Sequence, residues 1–275
     1  MMKTKLLVIA GMIIILVLLI WGGSKIKIKK ISPNKDKPQG EIVDLSKILT
    51  QSAQEVAKGD LPEAILSYKK LINNFPNSPQ VSNWQKKLWD LNLKLLFSPA
   101  IAPGSILYEI KPGDSLDKIA RKFKTTIELL KKSNGLSGDV IIQGKSLKVC
   151  AKIFNIVVDK SQNILILKSD DEIIKIYVVS TGLNNSTPVG IFKIVNKLVR
   201  PPWFKAGAMV PPESPDNILG SHWMGFDLAG YGIHGTTEPQ TLGQQITQGC
   251  VRMSNSEVEE LYAIVPVGTE VTIVD

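Results

Sequence analysis

The sequence predicts a multidomain α+β chain: an apolar helix at its start, a short helical segment, a small strand-helix-helix-strand module and a mostly-β domain at its end. Three observations predict this. An uncharged apolar run opens the chain. Apolar residues then recur with helical spacing over 44–97. From Ile153 onward the apolar period falls to two, as a half-buried strand requires.

The opening run, Leu6 to Trp21, reads LLVIAGMIIILVLLIW. As a helix it spans roughly 24 Å at about 1.5 Å per residue. Gly22, Gly23 and lysine stems that snorkel to the interface extend it toward the roughly 30 Å of a bilayer core. No A-x-A pattern follows it, so 1–23 reads as a retained transmembrane anchor, with a cleaved signal peptide as the other reading. No cysteine lies nearby to carry a lipid. Lys3 and Lys5 precede the span, whereas Lys25, Lys27, Lys29 and Lys30 follow it. Taken alone, the positive-inside rule puts the body of the chain on the cytoplasmic side.

Residues 24–43, rich in Lys, Pro, Asn, Gly and Ser near their start, read as a solvated linker. In the helical segment 44–97, Val56, Ala57, Ala64, Ile65, Tyr68, Leu71 and Ile72 mark an apolar face that Gly59-Asp60 interrupts. Pro62 falls where a first helical turn accepts it. Phe75-Pro76-Asn77-Ser78-Pro79 ends that stretch, and Trp84, Leu88, Leu91, Leu95 and Leu96 line the next helix. Gly59, Ala64, Tyr68 and Pro76 stand where a tetratricopeptide repeat places its small, aromatic and terminating residues. The likeness covers about one repeat, too little for a solenoid core. A helical spacer and a peptide-binding surface both stay open.

After a second linker around Pro99 and Pro103 comes a module over 105–150. Leu107 to Ile110 alternates as a strand, and Pro112-Gly113 turns. Asp114 or Ser115 caps a helix whose Leu116, Ile119, Ala120 and Phe123 form one stripe. Thr125 or Thr126 caps another carrying Ile127, Leu129 and Leu130, and Asn134-Gly135 turns the chain toward a last strand.

The final region, 152–275, strings strands over Ile153–Val158, Ile164–Leu167, Ile173–Val179, Ile191–Val195, Trp223–Leu228, Gly232–His234 and Glu270–Val274. One helix begins near Asn255 or Ser256. Its chemistry concentrates in YGIHGTTEPQTLGQQITQGCVRM. His234 ends a strand and Cys250 follows sixteen positions later, so the two meet only if the loop between them folds back. A free thiol, with a pKa near 8.5, needs a base at neutral pH, and an imidazole supplies one. Gly249 clears the approach to the sulfur. It also leaves the Gly249 and Cys250 N–H groups to face a developing oxyanion. Arg252 and Thr247 are candidate substrate-binding residues, the guanidinium suiting a carboxylate.

Composition bounds the partners. The 275 residues carry a net charge of +8, with scattered lysines and no nucleic-acid module. Anionic surfaces such as membrane or acidic wall polymers fit that charge; nucleic acid is not expected. Cys150 and Cys250 are the only cysteines, too few for a disulfide scaffold and without metal-ligand spacing.

Two resemblances sharpen this reading. Tyr108, Gly113-Asp114-Ser115-Leu116, Ile119-Ala120, Leu129, Asn134-Gly135, Gly144 and Leu147 resemble a LysM domain over the whole module. The resemblance implies binding to N-acetylglucosamine-containing glycans such as peptidoglycan, in a groove between loops at Gly113–Leu116 and Val140–Gln143. The segments STPVGIFKI, HGT, TQGCVRM, NSEVEELY and VPVGTEVTIV resemble the L,D-transpeptidases from Ile153 to the C-terminus. By that resemblance Cys250 is the nucleophile, His234 the base and the Gly235 carbonyl the group that orients the imidazole. Gln248 stands where the family often carries histidine, which puts a second histidine's role in doubt. His222 falls outside the motif; it could reach the cleft, but it reads as a structural or substrate-rim residue. Both cysteines are expected reduced, since a Cys150–Cys250 disulfide would block the nucleophile.

The implied reaction is acyl transfer without cofactor or metal, crosslinking peptidoglycan stems through a thioester. L,D-carboxypeptidase action on the same stems and a non-catalytic wall-binding protein are the alternatives. These modules place the body of the chain outside the cytoplasm, in the periplasm or wall of a bacterium, against the lysine balance around the span. Oligomeric state is not readable.

Overall fold

The computed structural model describes residues 44–205 and 207–275. The expected membrane anchor and the linker at 24–43 lie outside them. Among the described residues, no helix is long and apolar enough to cross a membrane. The chain divides into a unit ending at Leu88 and a second, Trp89–Asp275.

In the first unit, α1 (Leu45–Lys58) ends because Gly59 turns left-handed at φ 76°, a conformation that favours glycine. Asp60 then caps α2 (Leu61–Asn74), accepting the Glu63 N–H at 3.4 Å. The break read at Gly59-Asp60 is therefore a full helix boundary. Leu71, Val81 and Trp84 form a core with Leu45, Ile48, Tyr68, Ile72 and Phe75. Val81 and Trp84 belong to α3 (Val81–Leu96).

The second unit contains a small module and a large one. In the small module β1 (Ser105–Glu109) pairs antiparallel with β2 (Ser146–Cys150), Tyr108 opposite Leu147. Between them lie α4 (Leu116–Phe123), capped by Ser115, and α5 (Ile127–Asn134), capped by Thr126. Tyr108, Ile110, Leu116, Ile119, Ala120, Leu130, Leu147 and Val149 make its core. The Tyr108 hydroxyl donates to the Asp114 carboxylate at 2.8 Å.

The large module is built on eight strands: β3 (Phe154–Asp159), β4 (Ile164–Ser169), β5 (Glu172–Val178), β7 (Gly190–Val199), β10 (His222–Phe226), β11 (Gly232–His234), β13 (Val251–Arg252) and β14 (Glu270–Val274). Their order in the sheet is β13-β11-β10-β7-β14-β3-β4-β5. Pairs β11/β13 and β14/β3 are parallel and the others antiparallel. Helix α6 (Asn255–Ile264) buries Val258, Leu261, Tyr262 and Ile264. Two short pairs complete the domain: β6 (Thr181–Gly182) beside β12 (Gln245–Thr247), and a hairpin of β8 (Trp203–Lys205) and β9 (Ala208–Val210).

The modules are fused rather than tethered. Only Ala151, Lys152 and Ile153 separate β2 from β3. Leu129 of α5 and Cys150 of β2 belong to the large module's core. The buried Lys148 ammonium donates to the Leu95 and Ser98 carbonyls at 3.0 and 2.6 Å. Thr126 does double service. Its hydroxyl accepts the Leu129 N–H at 2.9 Å as the α5 cap, and donates to the Ala263 carbonyl in the last turn of α6. Thr126→Val removes both bonds while keeping shape, and should cost about 1–2 kcal/mol. Thr126→Ser should retain most of it. Urea unfolding of both variants checks this; a wild-type midpoint in the valine variant would contradict it.

Candidate active site

The β13 end of the sheet, where Arg252 also bridges to Ser180, brings the sequence-distant residues together. Strands β11 and β13 run in parallel, Ile233 opposite Val251 and His234 opposite Arg252. One residue ahead of that register, Cys250 stands level with Gly232, and its Sγ donates to the Gly230 carbonyl at 3.5 Å. Side chains alternate along a strand, so Gly232 and His234 share a face. His234 and Cys250 open on the same cavity of about 610 Å³. Its walls include Trp203 and Phe204 of the hairpin, Trp223, Tyr231, Gln248 and Arg252.

The imidazole is held on two sides. Its Nδ1 lies 2.6 Å from the Gly235 carbonyl oxygen. A carbonyl only accepts, so Nδ1 carries the proton and Nε2 is left with its lone pair. Trp223, opposite His234 in register, stacks on the ring with centroids 6.0 Å apart and planes 22° from parallel.

Burial sets the protonation states. It pushes His234 down to about 4, with the Arg252 charge adding to the effect and the Gly235 and Leu219 carbonyls opposing it. Burial pushes the Cys250 thiol up to about 11, against the Gly232 N–H and the Arg252 charge. At neutral pH the two groups rest as uncharged thiol and uncharged imidazole. Both cysteines are free thiols, Cys150 buried in the core.

The loop carrying the thiol is shaped from beneath. Gly249 has φ 134°, where a side chain is strained. A Cβ there would sit 2.6 Å from Tyr231 Cε1 and 3.3 Å from the Ser186 oxygen. Gly182 lies under Gly249, and its N–H donates to Thr187 Oγ1 at 2.7 Å. The buried Lys160 ammonium donates to the Thr187 carbonyl at 2.8 Å. The STPVG stretch is thus the floor of the loop that carries Cys250.

A family model for the L,D-transpeptidase catalytic domain matches residues 154–273, and one for the LysM domain matches 108–149. The YkuD chain of Bacillus licheniformis, named as an L,D-transpeptidase, is 34% identical over 176 residues, which are 61% of this chain and 98% of that one. This chain belongs to the L,D-transpeptidase family. YkuD of Bacillus subtilis is 30% identical over 175 residues, again 61% of this chain and 98% of the relative. YqjB of the same organism is 39% identical over 126 residues, 44% of this chain and 70% of its own.

Within this L,D-transpeptidase domain three of the residues expected at the site have partners inside the protein. The Gly249 N–H donates to Thr247 Oγ1 at 3.2 Å. The Thr247 hydroxyl donates to the Cys250 carbonyl at 2.6 Å. Both follow from the tight turn over 247–250, which needs a side chain to bridge it. Arg252 lines the cavity, but its Nη1 is engaged by Glu238 at 3.1 Å and Thr241 at 3.0 Å. It ties down the loop after His234, and its buried Nε has no hydrogen-bond partner.

His222 packs on the Tyr262 ring at 4.6 Å, bonds to Ser221 Oγ at 3.0 Å and is not among the cavity residues. The sequence reading missed Trp223, Tyr231 and the hairpin. Gly225 and Gly232 were the signal for the first, since a glycine inside a strand marks a close approach. A Cβ on either would press the Trp223 indole at 2.7 and 2.8 Å.

Proposed function

We propose that this chain crosslinks peptidoglycan stem peptides through a thioester on Cys250, with its LysM domain held on the glycan. What supports this most is the opening of His234 and Cys250 on one cavity, with the Gly235 carbonyl leaving Nε2 unprotonated.

In this reading the Cys250 thiol gives its proton to His234 Nε2 as the sulfur attacks the carbonyl of the third stem residue, an L-centre. Because both groups rest uncharged, proton transfer accompanies attack rather than preceding it. The Cys250 N–H is the donor that remains for the oxyanion, a contribution of roughly 10²–10³ in rate. Collapse of the tetrahedral adduct expels the terminal D-alanine as an amine, which takes the proton back from His234. An amine of a neighbouring stem then attacks the thioester and passes a proton through His234 to the departing sulfur. The product is an amide between two third residues.

Trp203, Phe204 and Tyr231 give the cavity apolar walls around the acyl chain, and the Arg252 charge favours the anionic character of the attacking sulfur. The LysM loops carry Val140 and Ile142 exposed at 85% and 63%, an apolar rim suited to the faces of sugar rings. Residues 1–23 would anchor the chain with its body outside the cytoplasm.

The test is incubation of the purified chain with peptidoglycan bearing tetrapeptide stems, followed by muropeptide mass analysis. Crosslinks between third residues should appear with release of D-alanine, and Cys250→Ser should give neither. Tripeptides without crosslinks would make the enzyme an L,D-carboxypeptidase. No D-alanine release from wild type would overturn the reading.

A further inference from the structure

We propose that Asn255 is a positioning residue for the base, acting through the peptide group between Gly235 and Thr236. The inference rests on the reading of His234 as the base.

Asn255 is the first residue of α6. Its side-chain oxygen accepts two backbone hydrogen bonds from outside the helix, the Thr236 N–H at 3.1 Å and the Ser221 N–H at 3.0 Å. Two glycines make room for that amide. A Cβ on Gly220 or on Gly235 would overlap Asn255 Oδ1. At Gly220 the backbone also has φ 65°, where glycine is favoured.

The Gly235 carbonyl and the Thr236 N–H are the two ends of one planar trans peptide group. One end accepts the proton on His234 Nδ1; the other donates to Asn255. Because the group is planar, fixing its N–H fixes its carbonyl. The oxygen therefore stays aimed at the imidazole, and Nε2 stays unprotonated. An acceptor on the N–H also polarises the peptide and strengthens its carbonyl as an acceptor. The flanking backbone is pinned as well: the Gly235 N–H donates to the His222 carbonyl at 3.1 Å and the Met253 N–H to the His234 carbonyl at 2.8 Å. The remaining freedom at the ring is rotation of the Gly235–Thr236 plane, and Asn255 removes it. Through the same side chain, the start of α6 is tied to the imidazole.

The experiment compares Asn255→Ala and Asn255→Asp in the full chain. One readout is the His234 ring tautomer by ¹⁵N and ¹H NMR. The other is the pH profile of acylation by a carbapenem, followed by intact mass. Asn255→Ala should lose the single Nδ1–H tautomer and acylate about 10- to 100-fold more slowly across the pH plateau. Asn255→Asp keeps an oxygen that accepts both N–H groups, and should retain the tautomer and most of the rate. A purely structural role would lower the melting temperature without moving the tautomer. Wild-type tautomer and rate in Asn255→Ala would overturn the proposal, as would an aspartate variant no better than alanine. If Asn255→Ala does not fold, the aspartate variant decides alone, and loss of the tautomer there overturns it. The tautomer is read without turnover. A wild-type chain that forms no adduct would therefore sink the enzymatic reading, while a tautomer change in Asn255→Ala would still uphold the positioning.

Discussion

His234→Gln is expected to slow acylation of the chain by a carbapenem by about 10²–10⁴-fold at neutral pH, and Cys250→Ala to abolish the adduct. The magnitude follows from the resting state. With burial holding the thiol up at about 11, only a minute fraction ionises unaided at pH 7. Nearly all reactive sulfur is therefore generated by transfer to His234 during attack. The pH dependence carries the sign. His234, pushed down to about 4, stays a competent base well below the usual histidine range. Acylation should hold level through pH 6 and fall only as the imidazole gains its proton near pH 4. On the alkaline side the thiol begins to ionise without help as pH climbs toward 11. The deficit of His234→Gln relative to wild type should shrink there. Second-order acylation rates across pH, read by intact mass, check all three statements. An acid limb near pH 6.5, or equal adducts on Cys250→Ala, would contradict this account.

Gly249→Ala should cost acylation at least about 10²-fold while leaving the chain folded. A non-glycine residue at φ 134° carries roughly 1–3 kcal/mol of strain. The new methyl group would also drive into the Tyr231 ring at 2.6 Å. The loop relieves both by turning, and Cys250, the next residue, turns with it. Adding Tyr231→Ala removes the collision but not the backbone strain, so the double variant should recover only part of the rate. Carbapenem kinetics with a thermal melt separate lost geometry from lost folding. Wild-type rates in Gly249→Ala would show that the loop does not depend on this glycine.

Much of the fold was legible because its signals are local. Ser115 and Thr126 cap helices where a hydroxyl precedes an apolar stripe. The strands from Phe154 to Val178 follow the apolar alternation. The pairs β6/β12 and β8/β9 were not legible, because strands of two or three residues have no period to detect. The site divides the same way. The motifs singled out His234, Gly235 and Cys250, and the parallel β11/β13 pairing supplies the fold-back that brings His234 and Cys250 to one cavity. The commitments of the Gly249 N–H, the Thr247 hydroxyl and the Arg252 guanidinium were not readable. Each depends on how a loop closes in three dimensions rather than on neighbours in sequence. Asn255 looked like an ordinary helix start; only its reach to Thr236 and Ser221 across the fold distinguishes it.

The three-residue junction at Ala151–Ile153, with Thr126 bonded to α6, makes the small and large modules one solid piece. A flexible tether would let a wall-bound enzyme sweep a volume and work anywhere inside it. Between these two modules there is no such freedom. Under the proposed function, a LysM domain seated on a glycan strand would set the mouth of the cavity at one height and one bearing from the gripped sugar. Slack between strand and sulfur then comes from the stem peptide alone. Under the proposed function, bonds laid down this way would recur at a set offset from each foothold, a spacing ruled by the fold.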